Sequence, residues 1–393
     1  MKHVVFLTGS YFPDHSAVSN CVEKVVDNLK DNIKITVIFP VNKEQNNEYI
    51  KTNNYTLKNF FYFPSNKFER RTNRLFNKYS LDEKLIKCYI KELNNISEDI
   101  DLVVAASMPY ETVKAALEYK SQTNKEVKVV PYLFDPYLNN ENLHYSKVIK
   151  FIKKKWLNKF EEEILNNSFS VIAMHHLKKH IDKKKKTIFP KVEYVEHPLL
   201  SPDFSNLEVK LGLKNNINFV YCGSFYKKIR NPQFFLELSI KLTSKNENIV
   251  DIYSFGDCDE QILRYSKKYS GIRHHGSVKS SVAAEKMKNA DVLIALGNTT
   301  NSQSPSKIFE YMSYGKYILY ICKNDNDRNL EVLSHYPKAI ILKEDMKNTK
   351  TYIDEIFKII NCSINVSEQE LLNIFKDATP EYTGKIITKL IND

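Results

Sequence analysis

Lys307 and Glu310 stand three residues apart in the stretch SPSKIFEYMSYGKYIL, Ser304 to Leu319. Ser304 is a favoured N-cap, Pro305 suits the first helical position and Gly315 is a good C-terminal stop, so the spacing predicts a short helix between them. Residues three apart on that helix share a face. A capping box would put Glu or Gln at the third helical position, and Lys307 stands there instead. A cation at the positive end of a helix dipole is unfavourable by a few tenths of a kcal/mol. A bound anion reverses that sign. The free N–H groups of the first turn, the Ser306 hydroxyl and Lys307 would then converge on a diphosphate. The Glu310 carboxylate on the same face can accept two hydroxyls of a ribose. The alternative is a solvated ion pair between Lys307 and Glu310.

Three further groups have chemistry to offer. In YCGSFYKKIRNPQFF, Tyr221–Phe235, Gly223 closes an apolar run, and Ser224, Lys227, Lys228 and Arg230 precede a helix start at Asn231-Pro232. A guanidinium and backbone N–H groups at a helix start can clamp a diphosphate; a solvated basic loop is the other reading. In IYSFGDC and RHHGSV, Gly256 and Gly276 end strand-like runs. His274 and His275 are adjacent in an extended segment, so they point to opposite faces and do not ligate one metal. In LTGSYFPD, Leu7–Asp14, Gly9 allows close backbone approach while Ser10, Tyr11 and Asp14 bring hydrogen-bonding groups. Ser107, Asp135 in YLFDPY, and His175 and His176 in VIAMHH follow other strand-like runs of the first half. Asp135 and His175 are candidates for a general base or for positioning an acceptor. Turn capping before Pro136 and a structural histidine pair are the alternatives.

The elements that must position these residues alternate. Apolar, β-branched runs recur at Val4–Leu7, Ile35–Phe39, Leu102–Ala105, Val127–Phe134 and Val171–Met174. They resume at Phe219–Cys222, Val250–Phe255, Val292–Leu296, Ile318–Ile321 and Ala339–Leu342. Stretches with a period near 3.6 lie between most of them, for instance Ala17–Leu29, Leu81–Leu93 and Pro232–Leu242. Continuously apolar strands alternating with helices predict buried parallel sheets covered by helices, an α/β class. Periodicity breaks at EYVEHPLLSPDF, Glu193–Phe204, where two prolines fall. The expectation is two Rossmann-like domains, residues 1–197 and 198–380, with sheets facing each other across a ligand cleft. A final amphipathic helix over 381–393 would pack back toward the first. Ligands of open α/β sheets bind beyond the carboxyl ends of strands, where all four residue groups fall.

The 393 residues carry 58 Lys and Arg against 47 Asp and Glu, a net charge of +11. That excess favours an anionic partner, although the abundance of Asn, Lys and Ile discounts it. The chain lacks the aromatic and basic interleaving of an RNA platform and a compact helix-turn-helix signal, so no nucleic-acid partner is expected. The six cysteines are scattered with no CxxC, which argues against zinc and a disulfide framework. No metal-binding DxD-like pair stands near the loops, and no metal is expected. The run Val4–Leu7 is too short for a signal peptide and no window holds eighteen apolar residues, so the expectation is a cytoplasmic protein. The segment 144–165 places Val148, Ile149, Phe151, Ile152, Trp156, Leu157 and Phe160 among lysines 147, 150, 153, 154, 155 and 159. A basic amphipathic helix with an aromatic anchor can lie on the inner face of the cell membrane; a core-packed helix with a solvated basic face is the alternative.

With these residues in view, the sequence resembles the GT-B glycosyltransferases, and in particular the GT4-like group that builds bacterial surface polysaccharides. The resemblance rests on YFPDHSAVSNCVEKVVDNL in the first half and on YCGSFYKKIRNP, HHGSVKSSVAAEKMKNADVLIAL and SPSKIFEYMSYGKYIL in the second. It implies a donor nucleotide-diphosphate sugar, UDP- or GDP-linked, used as co-substrate with no other cofactor, and a glycan or lipid-linked glycan acceptor. Glu310 looks like the family's ribose-binding glutamate, and Ser306 and Lys307 like the segment that meets the diphosphate. Arg230 sits near the family's phosphate-binding lysine, and Ser224 where many members have arginine. Gly9 and Ser10 resemble the glycine loop near donor and acceptor. The implied donor set is Gly9, Ser10, Gly223, Ser224, Arg230, Gly256, His275, Ser304, Ser306, Lys307 and Glu310. The acceptor set is Tyr11, Asp14, Ser107, Asp135 and His175. Asp135, Lys307 and Arg230 are the catalytic candidates, in a transfer expected to retain configuration. The chain departs from the family at Ser302, where many members carry a first glutamate that contacts the transferred sugar. A catalytically silent GT-B protein, acting as the partner of another transferase, is the alternative that this departure supports.

Overall fold

The computed structural model describes residues 1–11, 16–29, 33–42, 50–51, 55–62, 72, 75–123, 126–138, 147–184, 191–204, 216–299 and 307–393. The chain forms two compact units, Met1–Pro198 joined by Asp377–Asp393, and Leu199–Lys376. The return to the first unit therefore begins at Asp377 rather than at 381.

The first unit is built on β1 (Lys2–Leu7), β2 (Ile33–Val41), β3 (Ile50–Lys51), β4 (Thr56–Phe61), β5 (Leu102–Ala106), β6 (Lys128–Leu133), β7 (Ser170–Met174) and β8 (Lys191–Val195). Their order is β3-β4-β2-β1-β5-β6-β7-β8, parallel throughout except for the short β3 against β4. β5 and β7 are buried at every position, as unbroken apolar runs require when helices cover both faces. Ser16 and Ser19 form a reciprocal capping box at the start of Ala17–Asp27, and Asp82 caps Glu83–Asn94. The terminal helix Pro380–Asn392 belongs to this unit. The Lys128 ammonium donates to the Leu390 and Ile391 carbonyls at its C-terminus, where a cation complements the helix dipole.

Two strands escape a reading by apolar continuity. β4 is interrupted by Lys58 and Asn59, both buried; the Lys58 ammonium is satisfied by the Glu92 carboxylate at 3.0 Å and the Glu92 carbonyl. β8 is half-exposed at the sheet edge, so its sequence KVEYV does not look apolar. Glu193–Val195, the opening of the predicted break, is thus strand.

The second unit carries β9 (Asn218–Phe225), β10 (Ile249–Gly256), β11 (Ile272–His274), β12 (Val292–Leu296), β13 (Tyr317–Cys322) and β14 (Ala339–Lys343), all parallel, in the order β11-β10-β9-β12-β13-β14. Phe219, Tyr221, Ile252, Ile294 and Leu319 from the strands, with Phe235 and Leu238 from the helix Gln233–Thr243, form its core. The expected α/β class is found in both units. In each, the chain winds outward from one central strand and then restarts on its other side. That places the reversal, where open α/β sheets bind ligands, between β1 and β5 in the first unit and between β9 and β12 in the second.

Candidate functional site

Beyond the carboxyl ends of β9 and β12, two loops are tied to each other. After β9 the chain makes a tight turn in which the Arg230 N–H donates to the Tyr226 carbonyl at 2.7 Å, and the turn presents exposed Lys227 and Lys228. The Thr299 N–H donates to the Ile229 carbonyl at 2.9 Å, and the Thr299 hydroxyl to the Lys228 carbonyl at 2.9 Å. The Arg230 guanidinium donates through Nη2 and Nε to Asn298 Oδ1, at 2.8 and 3.2 Å. Asn298 is a neutral partner. Among the described residues no carboxylate pairs with Arg230, so the amide orients the guanidinium without neutralising it. Asn324 holds the far side of the clamp, donating to the Asn298 carbonyl at 3.3 Å. Asn298 was invisible to the motif reading, since it belongs to no pattern. Its only sequence signal is its place two residues after β12.

Lys307 begins the helix Lys307–Ser313, and its Nζ lies 3.4 Å from the Cys222 carbonyl of β9. Tyr311 from the same helix donates to that carbonyl at 3.1 Å, so the helix packs against the C-terminal half of β9, just past the last residue paired with β12. Burial pushes the Cys222 thiol up to about 11, with Lys307 opposing and Glu310 reinforcing the shift. Burial, together with the Glu310 carboxylate beside it, raises the Tyr314 phenol. Among the described residues Lys307 and Glu310 make no ion pair with each other. Ser304 and Ser306, the expected cap and hydroxyl, lie outside the described residues, as does Ser302.

Gly223 and Ser224 lie within β9, which runs on to Phe225. Gly256 ends β10 at φ +141, and a Cβ there would stand 1.9 Å from the Phe225 carbonyl oxygen, so only glycine fits. His274 and His275 do turn to opposite sides: His274 Nε2 lies 3.2 Å from Ser254 Oγ, and His275 Nε2 2.7 Å from Asp251 Oδ1, with its ring stacked on Tyr253. His275, expected at the donor, is thus directed back along β10 to a carboxylate.

At the reversal of the first unit, Gly9 packs so closely on the loop after β5 that a Cβ would lie 2.2 Å from Pro109 Cδ. The Met108–Pro109 bond is cis. The Ser10 hydroxyl sits 3.2 Å from Ser19 Oγ and accepts from the Ser16 N–H, which ties it to the helix cap. The Phe134 N–H donates to Ser107 Oγ at 2.9 Å, so this fully buried hydroxyl joins the ends of β5 and β6. Asp135 follows β6, and its carbonyl accepts from the Tyr110 hydroxyl. Two acceptor candidates have other uses. Tyr11 is 2 % exposed, its ring packed on Phe39 and edge-on to Tyr55, because a tyrosine following β1 fills the core beside β2. His175 lies 2.6 Å from Asp377 Oδ2, where the chain returns to this unit, and that hydrogen bond raises its pKa. Asp14 lies outside the described residues. Among the described residues no group of three or more His, Cys, Asp or Glu side chains is arranged to hold a metal.

No family model matches the sequence, and no curated protein matches it. Solved structures do, 239 chains in all. Sucrose-phosphate synthase from Thermosynechococcus elongatus aligns over 100 % of both chains at 9 % identity, with a TM-score of 0.66. HepE from Anabaena, in complex with UDP-glucose, aligns over 100 % of both at 12 % identity and a TM-score of 0.62. The lipopolysaccharide outer core galactosyltransferase WaaB, in its apo form, covers 99 % of both at 12 % identity and a TM-score of 0.58. Full-length similarity at such low identity establishes the fold, and that fold is GT-B.

Proposed function

We propose that the protein is a glycosyltransferase that moves a sugar from a UDP- or GDP-sugar to a glycan or lipid-linked glycan in the synthesis of bacterial surface polysaccharide. One observation carries this reading: at the sheet's reversal an oriented guanidinium with no carboxylate partner among the described residues, Arg230 on Asn298, follows β9, and the Lys307 ammonium lies against the C-terminal half of the same strand. The fold's likeness to a galactosyltransferase and to a UDP-glucose complex supports it.

In the proposed transfer the bond from the sugar C1 to the donor diphosphate breaks, and the acceptor hydroxyl oxygen forms the new bond to C1. The hydroxyl proton leaves with the diphosphate. Negative charge grows on the departing phosphate oxygens, and fixed cations stabilise it most because they need no reorganisation. Arg230 and Lys307 take that role, which makes a metal-independent reaction sufficient, and Glu310 takes the ribose hydroxyls. With the leaving group accepting the proton, configuration is retained and no strong base is needed. Asp135 positions the acceptor.

Calorimetric titration of UDP, GDP, CMP and their sugars into wild type, Lys307→Ala and Glu310→Ala tests this. Tight binding of one nucleoside diphosphate, lost on the order of tenfold or more in each variant, is expected. No binding by any nucleotide would overturn the donor site. Binding without turnover of any nucleotide sugar would favour the silent-partner reading, to which Ser302 in place of a glutamate points.

A further inference from the structure

The helix Lys147–Asn167 divides its residues sharply. Leu157, Phe160, Ile164 and Leu165 face the core of the first unit. Lys153 turns inward too, donating to the Asn77 carbonyl and to Ser80 Oγ, and Phe160 stacks on Tyr79 at 5.2 Å. These contacts fix the helix against the 77–80 turn. The other face makes no such contact among the described residues. Val148, Phe151, Ile152 and Trp156 are 66, 78, 63 and 44 % exposed, at helical spacing on one side. Leu75 and Phe76, the latter 84 % exposed, immediately precede the Asn77 that Lys153 holds, and extend the apolar surface beyond the helix. Scattered exposed apolar residues are ordinary, but six large ones around one anchored helix are not.

The charges on the helix stretch that carries this surface have one sign, and the exposed carboxylate beside the turn, Glu83, is taken up by Asn77. From Lys147 to Lys159 the helix carries six lysines and no acid, and its three glutamates come only after Phe160. Lys154, Lys155 and Lys159 are exposed, as is Lys78 beside the turn. A protein partner with a mixed surface would not call for so predominantly cationic a border. A planar anionic surface with an apolar interior does, because aliphatic and aromatic groups enter the headgroup boundary while lysines remain at the phosphates.

We propose that this face, Val148, Phe151, Ile152 and Trp156 with Leu75 and Phe76, docks the protein on an anionic lipid bilayer. No helix among the described residues is long and apolar enough to cross a membrane, so the contact is peripheral. It deepens the proposed function by putting the enzyme at the surface where a lipid-linked acceptor resides. Only that consequence rests on the donor-site reading; the binding itself does not.

The test is co-sedimentation of the full chain with vesicles of phosphatidylcholine alone and with phosphatidylglycerol added. Binding to the anionic vesicles, weakened by salt, is expected. Each exposed lysine near an anionic leaflet contributes about fivefold in partition, so Lys154→Ala with Lys155→Ala should weaken binding on the order of 30-fold. Phe151→Ser with Ile152→Ser should weaken it about tenfold or more while leaving UDP binding by calorimetry unchanged. Wild type that ignores anionic vesicles, or variants that bind like wild type, would overturn the proposal. So would a concentration-dependent dimer that the Phe151→Ser, Ile152→Ser variant loses, since a second copy of the chain would then cover this face. Lost nucleotide binding with intact vesicle binding would sink the donor site and leave the docking surface standing.

Discussion

The two sheet reversals share a topology and differ in chemistry. Between β1 and β5 the groups on offer among the described residues are hydroxyls and one carboxylate: Thr8, Ser10, Ser107 and Asp135. Most of those hydroxyls are spent internally, Ser10 on the helix cap and Ser107 on the Phe134 N–H. Between β9 and β12 the offer is cationic: Arg230 held by the Asn298 amide, Lys227 and Lys228 exposed on the turn before it, and Lys307 against the Cys222 carbonyl. A Rossmann-like reversal is thus a place and not a function. What decides its ligand is the charge left over once the fold has taken its hydrogen bonds. The first reversal has little left, and the second has two cations that no described carboxylate neutralises.

That contrast breaks most visibly at Gly9. A methyl group there would stand 2.2 Å from Pro109 Cδ, too close for ordinary packing, and proline cannot swing aside as a flexible side chain would. Gly9→Ala should destabilise by about 3 kcal/mol, read as a lower urea midpoint at unchanged slope. Nucleotide affinity of the folded fraction is the second readout, because the resemblance also puts Gly9 near the donor. A loss of affinity at full stability would mean that the first reversal also holds the nucleotide.

The next effect belongs to the second reversal. Arg230→Ala removes a charge-assisted contact to phosphate worth about 2 kcal/mol, so the affinity for the preferred nucleoside diphosphate should fall roughly 30-fold. Asn298→Ala leaves the guanidinium in place but frees it to rotate. About 1 kcal/mol, or fivefold, is expected, smaller than for Arg230 itself and nearly absent in an Arg230→Ala background. Additive losses in the double variant would show that Asn298 acts on the ligand and not through Arg230. Asp135→Ala in the same titration is the control from the first reversal and should bind nucleotide as wild type does.

The same contrast explains what was legible in the sequence. Alternating apolar runs announce buried parallel strands, and β1, β5, β7, β9, β12 and β13 were all readable that way. β4 was not, because buried Lys58 is satisfied by a residue 34 positions away, a compensation that leaves no local trace. At the site, Lys307 was readable because a lysine at a helix start violates a local preference. Glu310 followed from its spacing. Asn298 violates nothing, so its hold on Arg230 across 68 positions emerges only when the strand order is known. Tyr11 and His175, expected at the acceptor, show what spacing alone does not tell. Polar residues after strands look functional, yet one completes a core and the other fastens the chain's return.

His175 offers the smallest and most selective test. Its hydrogen bond to Asp377 raises its pKa above the ordinary histidine value of about 6.5. Below that value both folded and unfolded chains hold the proton, and the contact stabilises in full. As pH rises, the unfolded chain releases its proton first, so stability falls until the folded His175 also titrates. His197 works in the other direction. Burial lowers it to about 4, so its contribution is present above about 6.5 and is lost as pH falls toward 4. His3 and His274 are lowered as well and share that acid window. The alkaline side therefore isolates His175 from them. Because both partners are a third or more exposed, solvent screening keeps the effect near about 0.5 kcal/mol. In Asp377→Asn the decline in stability above pH 6.5 should flatten by that amount, while the acid limb set by His197 stays. An unchanged alkaline limb would mean that the return of the chain is held without this contact, by the Lys128 and Glu196 hydrogen bonds and the packing of Pro380–Asn392, and would favour the role of His175 at the acceptor.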